Sequence, residues 1–161
     1  MKRIIITIFI SVIVAMCSYA QDLSFKGISP DAPTDSIVSH LISNGFTVKK
    51  EANDCYTLEG SFWKFNHCEV LVMKENGPIN VHIPTWIKMG EIEDLVGALT
   101  AKYGVPQKSS NSLGDEYFWL VGENGIAFNY LPRIDAIILS YLPKKYAALE
   151  VSKQRKYNSD L

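Results

Sequence analysis

Residues 116–142, EYFWLVGENGIAFNYLPRIDAIILSYL, carry the pattern that decides the fold. Glu116 to Val121 predicts a strand, and Gly122-Glu123-Asn124-Gly125 a turn. Ile126 to Tyr130 predicts a second strand, Leu131 to Asp135 a connection, and Ala136 to Leu142 a third. Asn-Gly pairs between β-rich runs mark hairpins because both residues tolerate positive φ. Asn129 and Ser140 interrupt apolar runs at alternate positions, as a sheet buried more on one face than the other requires. Three antiparallel strands follow.

Upstream lies a helix signal. Ile92, Leu95, Val96, Leu99 and Tyr103 recur at helical spacing over about Glu91 to Tyr103. Glu91, Glu93 and Asp94 fall in the first turn, where the helix dipole favours them, and Gly104 and Pro106 close the end. The same order occurs earlier. Ile37, Val38, Leu41 and Ile42 stripe a helix over about Asp35 to Asn44, with Thr34 as its expected cap and Gly45 after it. Tyr56 to Ser61 then reads as a strand, Phe62–Phe65 as a turn and Cys68 to Lys74 as a strand. Glu75-Asn76-Gly77-Pro78 reads as a turn and Ile79 to Pro84 as the last strand. The two helices and their strands repeat at an offset of about 58 residues.

The expected class is therefore α+β. Two helix-plus-three-strand units, approximately 34–86 and 92–142, form one antiparallel sheet of about six strands with the helices on one face. A C-terminal tail, 144–161, carries Tyr146, Leu149, Lys153, Arg155 and Lys156 and predicts a short amphipathic helix. Tandem units of this kind, the helices Ser36 to Gly45 and Asp94 to Gly104 each followed by three strands, resemble the β-lactamase-inhibitory-protein fold. A single such unit resembles the small outer-membrane assembly lipoproteins. The likeness is one of architecture. It implies a concave sheet face that grips a partner protein, without implying β-lactamase inhibition.

The first twenty residues supply a destination. Lys2 and Arg3 precede an apolar run from Ile4 to Met16, and Ser18-Tyr19-Ala20 offers small residues at −3 and −1. This is the layout of a secretory signal peptide cut before Gln21, and the run is shorter than a membrane span needs. A second reading takes Val14-Ala15-Met16-Cys17 as a lipobox, with Cys17 lipidated and the chain tethered as an envelope structural factor. Either reading places residues 21–161, one domain, in the periplasm or outside the cell.

Removing Lys2 and Arg3 from 16 basic residues leaves 14 against 17 acidic ones. That balance does not suit nucleic acid. No membrane span is expected after cleavage, and no cofactor. Cys55 and Cys68 form an even pair that invites a disulfide in an oxidising compartment, worth about 3 kcal/mol for a loop of this length. A turn at Phe62–Phe65 places Cys55 opposite Val72 and Cys68 opposite Glu59, out of register for a bridge.

No catalytic, metal or nucleotide motif stands out. His40 reads as a solvated helix residue, and His82 as a strand residue facing Leu71. A His67–Cys68–His82 metal site needs a slipped pairing. Glu59 and Glu69 on adjacent strands are candidate paired carboxylates, and Glu59 with His82 the candidate pair for a small exported hydrolase. Residues 108–112, KSSNS, read as a polar loop. The leading expectation is a non-enzymatic binding module that holds a protein or envelope partner on its sheet. Leu71, Met73, Tyr117 and Trp119 are its apolar anchors, because Tyr117/Trp119 and Phe118/Leu120 alternate to two faces and only one is covered by the two helices. The other is buried either by the C-terminal segment from Lys144 or by a partner.

Overall fold

The computed structural model describes residues 22–159. The leader at 1–20, both readings of its processing and the last two residues lie outside the described residues. The chain runs α1 (Thr34–Ser43), β1 (Thr47–Glu51), β2 (Cys55–Phe62), β3 (Phe65–Met73) and β4 (Ile79–Ile83). It continues with α2 (Met89–Tyr103), β5 (Gln107–Ser110), β6 (Asp115–Val121), β7 (Asn124–Leu131), β8 (Ala136–Leu142) and α3 (Lys144–Ser159). All eight strands form one antiparallel sheet in the order β1-β2-β3-β4-β8-β7-β6-β5.

Each unit is thus a helix followed by a four-stranded meander, and the two meanders join at β4 and β8. Val81 pairs with Leu139, its own counterpart at the 58-residue offset. Asn80 pairs with Ser140 and His82 with Ile138, pairs that exchange under the same two-fold.

Eight strands replace the six expected. The additional ones, β1 and β5, are the sheet edges and are exposed at every position. Their sequences, TVKKE and QKSS, show no alternation because neither face of an edge strand is deeply buried here. Residues 107–110 are therefore strand where a polar loop was predicted. Lys49, Lys50 and Lys108 put charge on both edges, which discourages pairing with another chain.

Registers differ from the expected ones for identifiable reasons. Phe62 pairs with Phe65 across the tight turn, as counted, but Gly60 pairs with Cys68. β3 takes an extra residue there, and His67 absorbs it at φ 58°. Cys55 therefore faces Met73. Between β3 and β4 the loop is Lys74 to Gly77, with Glu75 and Asn76 at positive φ and Met73 N–H donating to Pro78 O at 3.2 Å. His82 consequently faces Glu69 rather than Leu71. In the second unit the turn is Gly122-Glu123, since Val121 pairs with Asn124, and Gly122 supplies the positive φ. At α1, Thr34 is the first helical residue rather than the cap; its hydroxyl donates to Met73 O at 3.3 Å.

Helices α1 and α2 cover one face, here called the inner face. Ile37, Val38 and Leu41 of α1 and Ile92, Leu95 and Leu99 of α2 pack on Leu58, Val70, Val72, Ile79, Val81, Ile126, Phe128 and Leu139. The segment before α1 adds Leu23 and Phe25, an insertion that periodicity did not indicate. Phe25 is fully buried at the seam, within 5.0 Å of Tyr141 and 5.9 Å of Phe62, ring to ring.

Trp119 belongs to this core. It is 1% exposed, stacks on Tyr117 at 6.2 Å, and its indole N–H donates to Gly104 O at 2.9 Å, just beyond α2. It is not a surface anchor. Cys68 is likewise an inner-face residue, fully buried, with its thiol pushed up by burial. Cys55 lies on the opposite face and five residues along β3 from Cys68's position, about 17 Å at strand rise. A disulfide needs Cα atoms within about 7 Å, and both cysteines are free.

Trp119→Ala lowers unfolding stability by about 3–5 kcal/mol in urea denaturation followed by circular dichroism. Trp86→Ala, at a residue 77% exposed, changes it by no more than about 0.5 kcal/mol. Alkylation of the urea-unfolded protein without reductant labels both Cys55 and Cys68, read by peptide mass spectrometry.

Candidate functional site

The outer face of the sheet is where the two units part company. Directly paired residues form two rows across it. One runs Glu59, Glu69, His82, Ile138, Asn129, Glu116; the other runs Thr57, Leu71, Asn80, Ser140, Ala127, Phe118. Over the second unit, α3 covers these rows. Ala147 of α3 is fully buried against Phe118, Ala127 and Leu142, with Tyr146 and Val151 beside it. Asp31 fastens the start of α3, accepting the Lys144 backbone N–H at 3.0 Å and the Asn124 amide at 2.6 Å.

Among the described residues, α3 reaches the first unit's outer face only at its margin, where Tyr146 lines a groove with Asn80 and Met73, and leaves the rest uncovered. The residues of this face are more polar: where Ala127 lies under α3, the counterpart 58 residues earlier is Glu69. Glu59 accepts from Lys49 Nζ and His67 Nδ1, each at 3.0 Å, and these contacts hold its carboxyl below the usual range. Glu69 lies between Glu59 and His82 in register. Leu71 is half-buried between Thr57 and Asn80, and Met73 lies at the end of the same strand.

The four predicted anchors therefore fall on opposite faces. Leu71 and Met73 are on the first unit's outer face; Tyr117 and Trp119 pack into the inner core. Alternation separated the sets but did not say which one the helices take. Phe118 went to the outer side and was covered by α3.

Between α3 and the sheet runs a groove of about 600 Å³, continued by a second of about 480 Å³ toward Asn53, Met73 and Lys74. Asn80, Ser140, Asn129 and Glu116 line its floor, and Tyr146, Leu149, Glu150 and Lys153 its helix side. Ser140 is 9% exposed and donates to Asn80 Oδ1 at 2.7 Å. Lys153 donates to Glu150 at 3.0 Å, while among the described residues no cation forms a salt bridge with Glu116. Burial, and then the charge of Glu150, push the Glu116 carboxyl above its usual range.

Glu116, Glu150 and Asn80 were not singled out from the sequence. The available signal was the polar interruption of apolar strands at Asn129 and Ser140. Neither groove is lined by Glu59 or His82. Cys68 and His82 point to opposite faces, so they cannot share a metal ion. Among the described residues no group of three His, Cys, Asp or Glu converges as a metal site, and no helix is long and apolar enough to cross a membrane.

A carboxyl raised in the fold disfavours the folded state only when ionised. Its cost is absent below the unfolded pKa, grows as pH rises from the unfolded pKa to the folded one, and is complete above both. Glu116→Gln therefore raises the melting temperature by about 1–3 °C at pH 7 and leaves it unchanged at pH 3, measured by calorimetry. Comparison of the chain with protein-family models finds no match, and comparisons with curated proteins and with solved structures find none either.

Proposed function

We propose that this chain is an exported, non-enzymatic binding module that holds a protein partner on the outer face of β1–β4. One observation carries the reading: among the described residues, α3 packs on the outer face of the second unit and leaves most of that of the first uncovered. The uncovered area combines a half-buried apolar centre, Leu71, with a charged surround of Glu59, Glu69, Lys49 and His67. An apolar centre within a polar rim is the composition of protein interfaces. The sheet-face grip implied by the resemblance to β-lactamase-inhibitory proteins agrees with it. The leader-like residues 1–20 support export.

A hydrolase built on Glu59 and His82 is less favoured. Glu69 separates the two residues, Glu59 is engaged by Lys49 and His67, and neither groove described above is lined by Glu59 or His82.

A photocrosslinking residue at position 71 tests the proposal in the envelope of the cells that make the protein. A discrete adduct from position 71, absent from position 105 (Val105 is 90% exposed at the far end of α2), is the expected result. Leu71→Arg should reduce capture of the same protein at least fivefold, with the melting temperature within about 2 °C of wild type. Equal adducts at both positions, or none at 71, would overturn the assignment.

A further inference from the structure

We propose that the groove between α3 and strands β4, β8, β7 and β6 is a binding site for an organic cation. An ammonium or guanidinium group would sit on Glu116 and Asn129, with its hydrocarbon part against Tyr146 and Leu149.

The floor of the groove makes the case. A helix that merely shielded the sheet would be met by apolar residues throughout, as Ala147 is by Phe118, Ala127 and Leu142. Four consecutive strands instead place a polar residue under or beside it: Asn80 on β4, Ser140 on β8, Asn129 on β7 and Glu116 on β6. Asn80 and Ser140 satisfy each other at 2.7 Å. Asn129 and Glu116 are direct cross-strand partners. Their amide oxygen and carboxylate are adjacent acceptors facing one space. Ser109, the β5 partner of Glu116, lends its carboxyl a hydrogen bond too weak to offset burial and the charge of Glu150.

Charge selects the ligand. Among the described residues the groove holds two carboxylates, Glu116 and Glu150, against one ammonium, Lys153, which is engaged by Glu150. A half-buried carboxylate that shares one ammonium with a second carboxylate still repels anions and attracts cations, more strongly than in bulk water because the surroundings are less polarisable. The volume, about 600 Å³, accommodates a small ligand or one long side chain. Tyr146 and Leu149 give an alkyl chain an apolar wall. Chemistry of this kind is shared by a free alkyl amine or guanidine and by the arginine or lysine side chain of a peptide.

Agmatine and the blocked tripeptide N-acetyl-Ala-Arg-Ala-amide serve as probes, each titrated into the ¹⁵N-labelled protein. Saturable shifts of the Asn129 and Asn80 side-chain amides are expected with at least one of them. Glu116→Gln should weaken that binding at least tenfold, whereas Glu93→Gln, on the exposed side of α2, should leave it unchanged. Binding of agmatine alone would identify a free cation as the ligand, and binding of the peptide alone a basic side chain. Absence of saturable shifts with both probes would overturn the proposal. Equal binding to wild type and Glu116→Gln, or equal binding of the uncharged analogue N-butylurea, would also overturn it. Because crosslinking at position 71 reads the first unit's outer face and this titration reads the groove, either site can fail without the other.

Discussion

The antiparallel pairing of β4 with β8 is the contact on which the rest of the structure depends. Equivalent strands that pair antiparallel are related by a two-fold normal to the sheet, and such an operation keeps each face on its own side. Once Val81 meets Leu139, α1 and α2 must therefore land on the same face. The inner positions at the seam, Ile79, Val81, Ile83, Ile137, Leu139 and Tyr141, are all buried, and Phe25 fills the space over Tyr141. Unpaired, each of these strands would be an apolar edge able to recruit another chain. Joined, they become the centre of the sheet, and the edges fall to β1 and β5, whose lysines and lack of apolar pattern suit exposure.

That arrangement explains what was legible in the sequence. The seam strands and both helices declare themselves because burial imposes a period: Ile79, Val81 and Ile83 at every second residue, Ile92, Leu95 and Leu99 at helical spacing. Burial imposes nothing on an edge strand exposed throughout, so TVKKE gave no strand signal and most of QKSS read as part of a polar loop. Register was harder still. The turn at Trp63-Lys64 was countable, but the extra residue at His67 shifted every pair beyond it by one, which moved Cys55 from Val72 to Met73. A backbone conformation at a single residue leaves little trace in the pattern around it.

The candidate site was legible in part, for the same reason. Alternation showed that β6 is apolar on both sides, and hence that something besides α1 and α2 must cover one of them. It did not show which. Trp119 is held inward by its indole bond to Gly104 O and by Tyr117, contacts made through the α2–β5 connection rather than through the strand's own pattern. Phe118 was then left to α3. Leu71 and Met73 kept their outer position because β3 has one inner set, Cys68, Val70 and Val72, that is unambiguously the more buried.

The unequal treatment of the outer face is best understood through what a polar floor does to a packed helix. Burying Ser140 and Asn80 requires that they bond to each other, and the net stabilisation from such a bond is only about 1 kcal/mol. Glu116 contributes less than nothing while ionised, since burial and Glu150 both oppose its charge. An apolar floor at these positions would let α3 close onto the sheet along its length, and stability alone favours that outcome. Among the described residues, α3 instead meets the apolar sheet residues at Ala147, Tyr146 and Val151 and leaves a groove over the polar ones. Proteins retain such locally unfavourable groups where a site needs them. The groove, with a carboxylate only partly compensated by Lys153 and Ser109, is thus a part of the outer face whose composition packing does not explain.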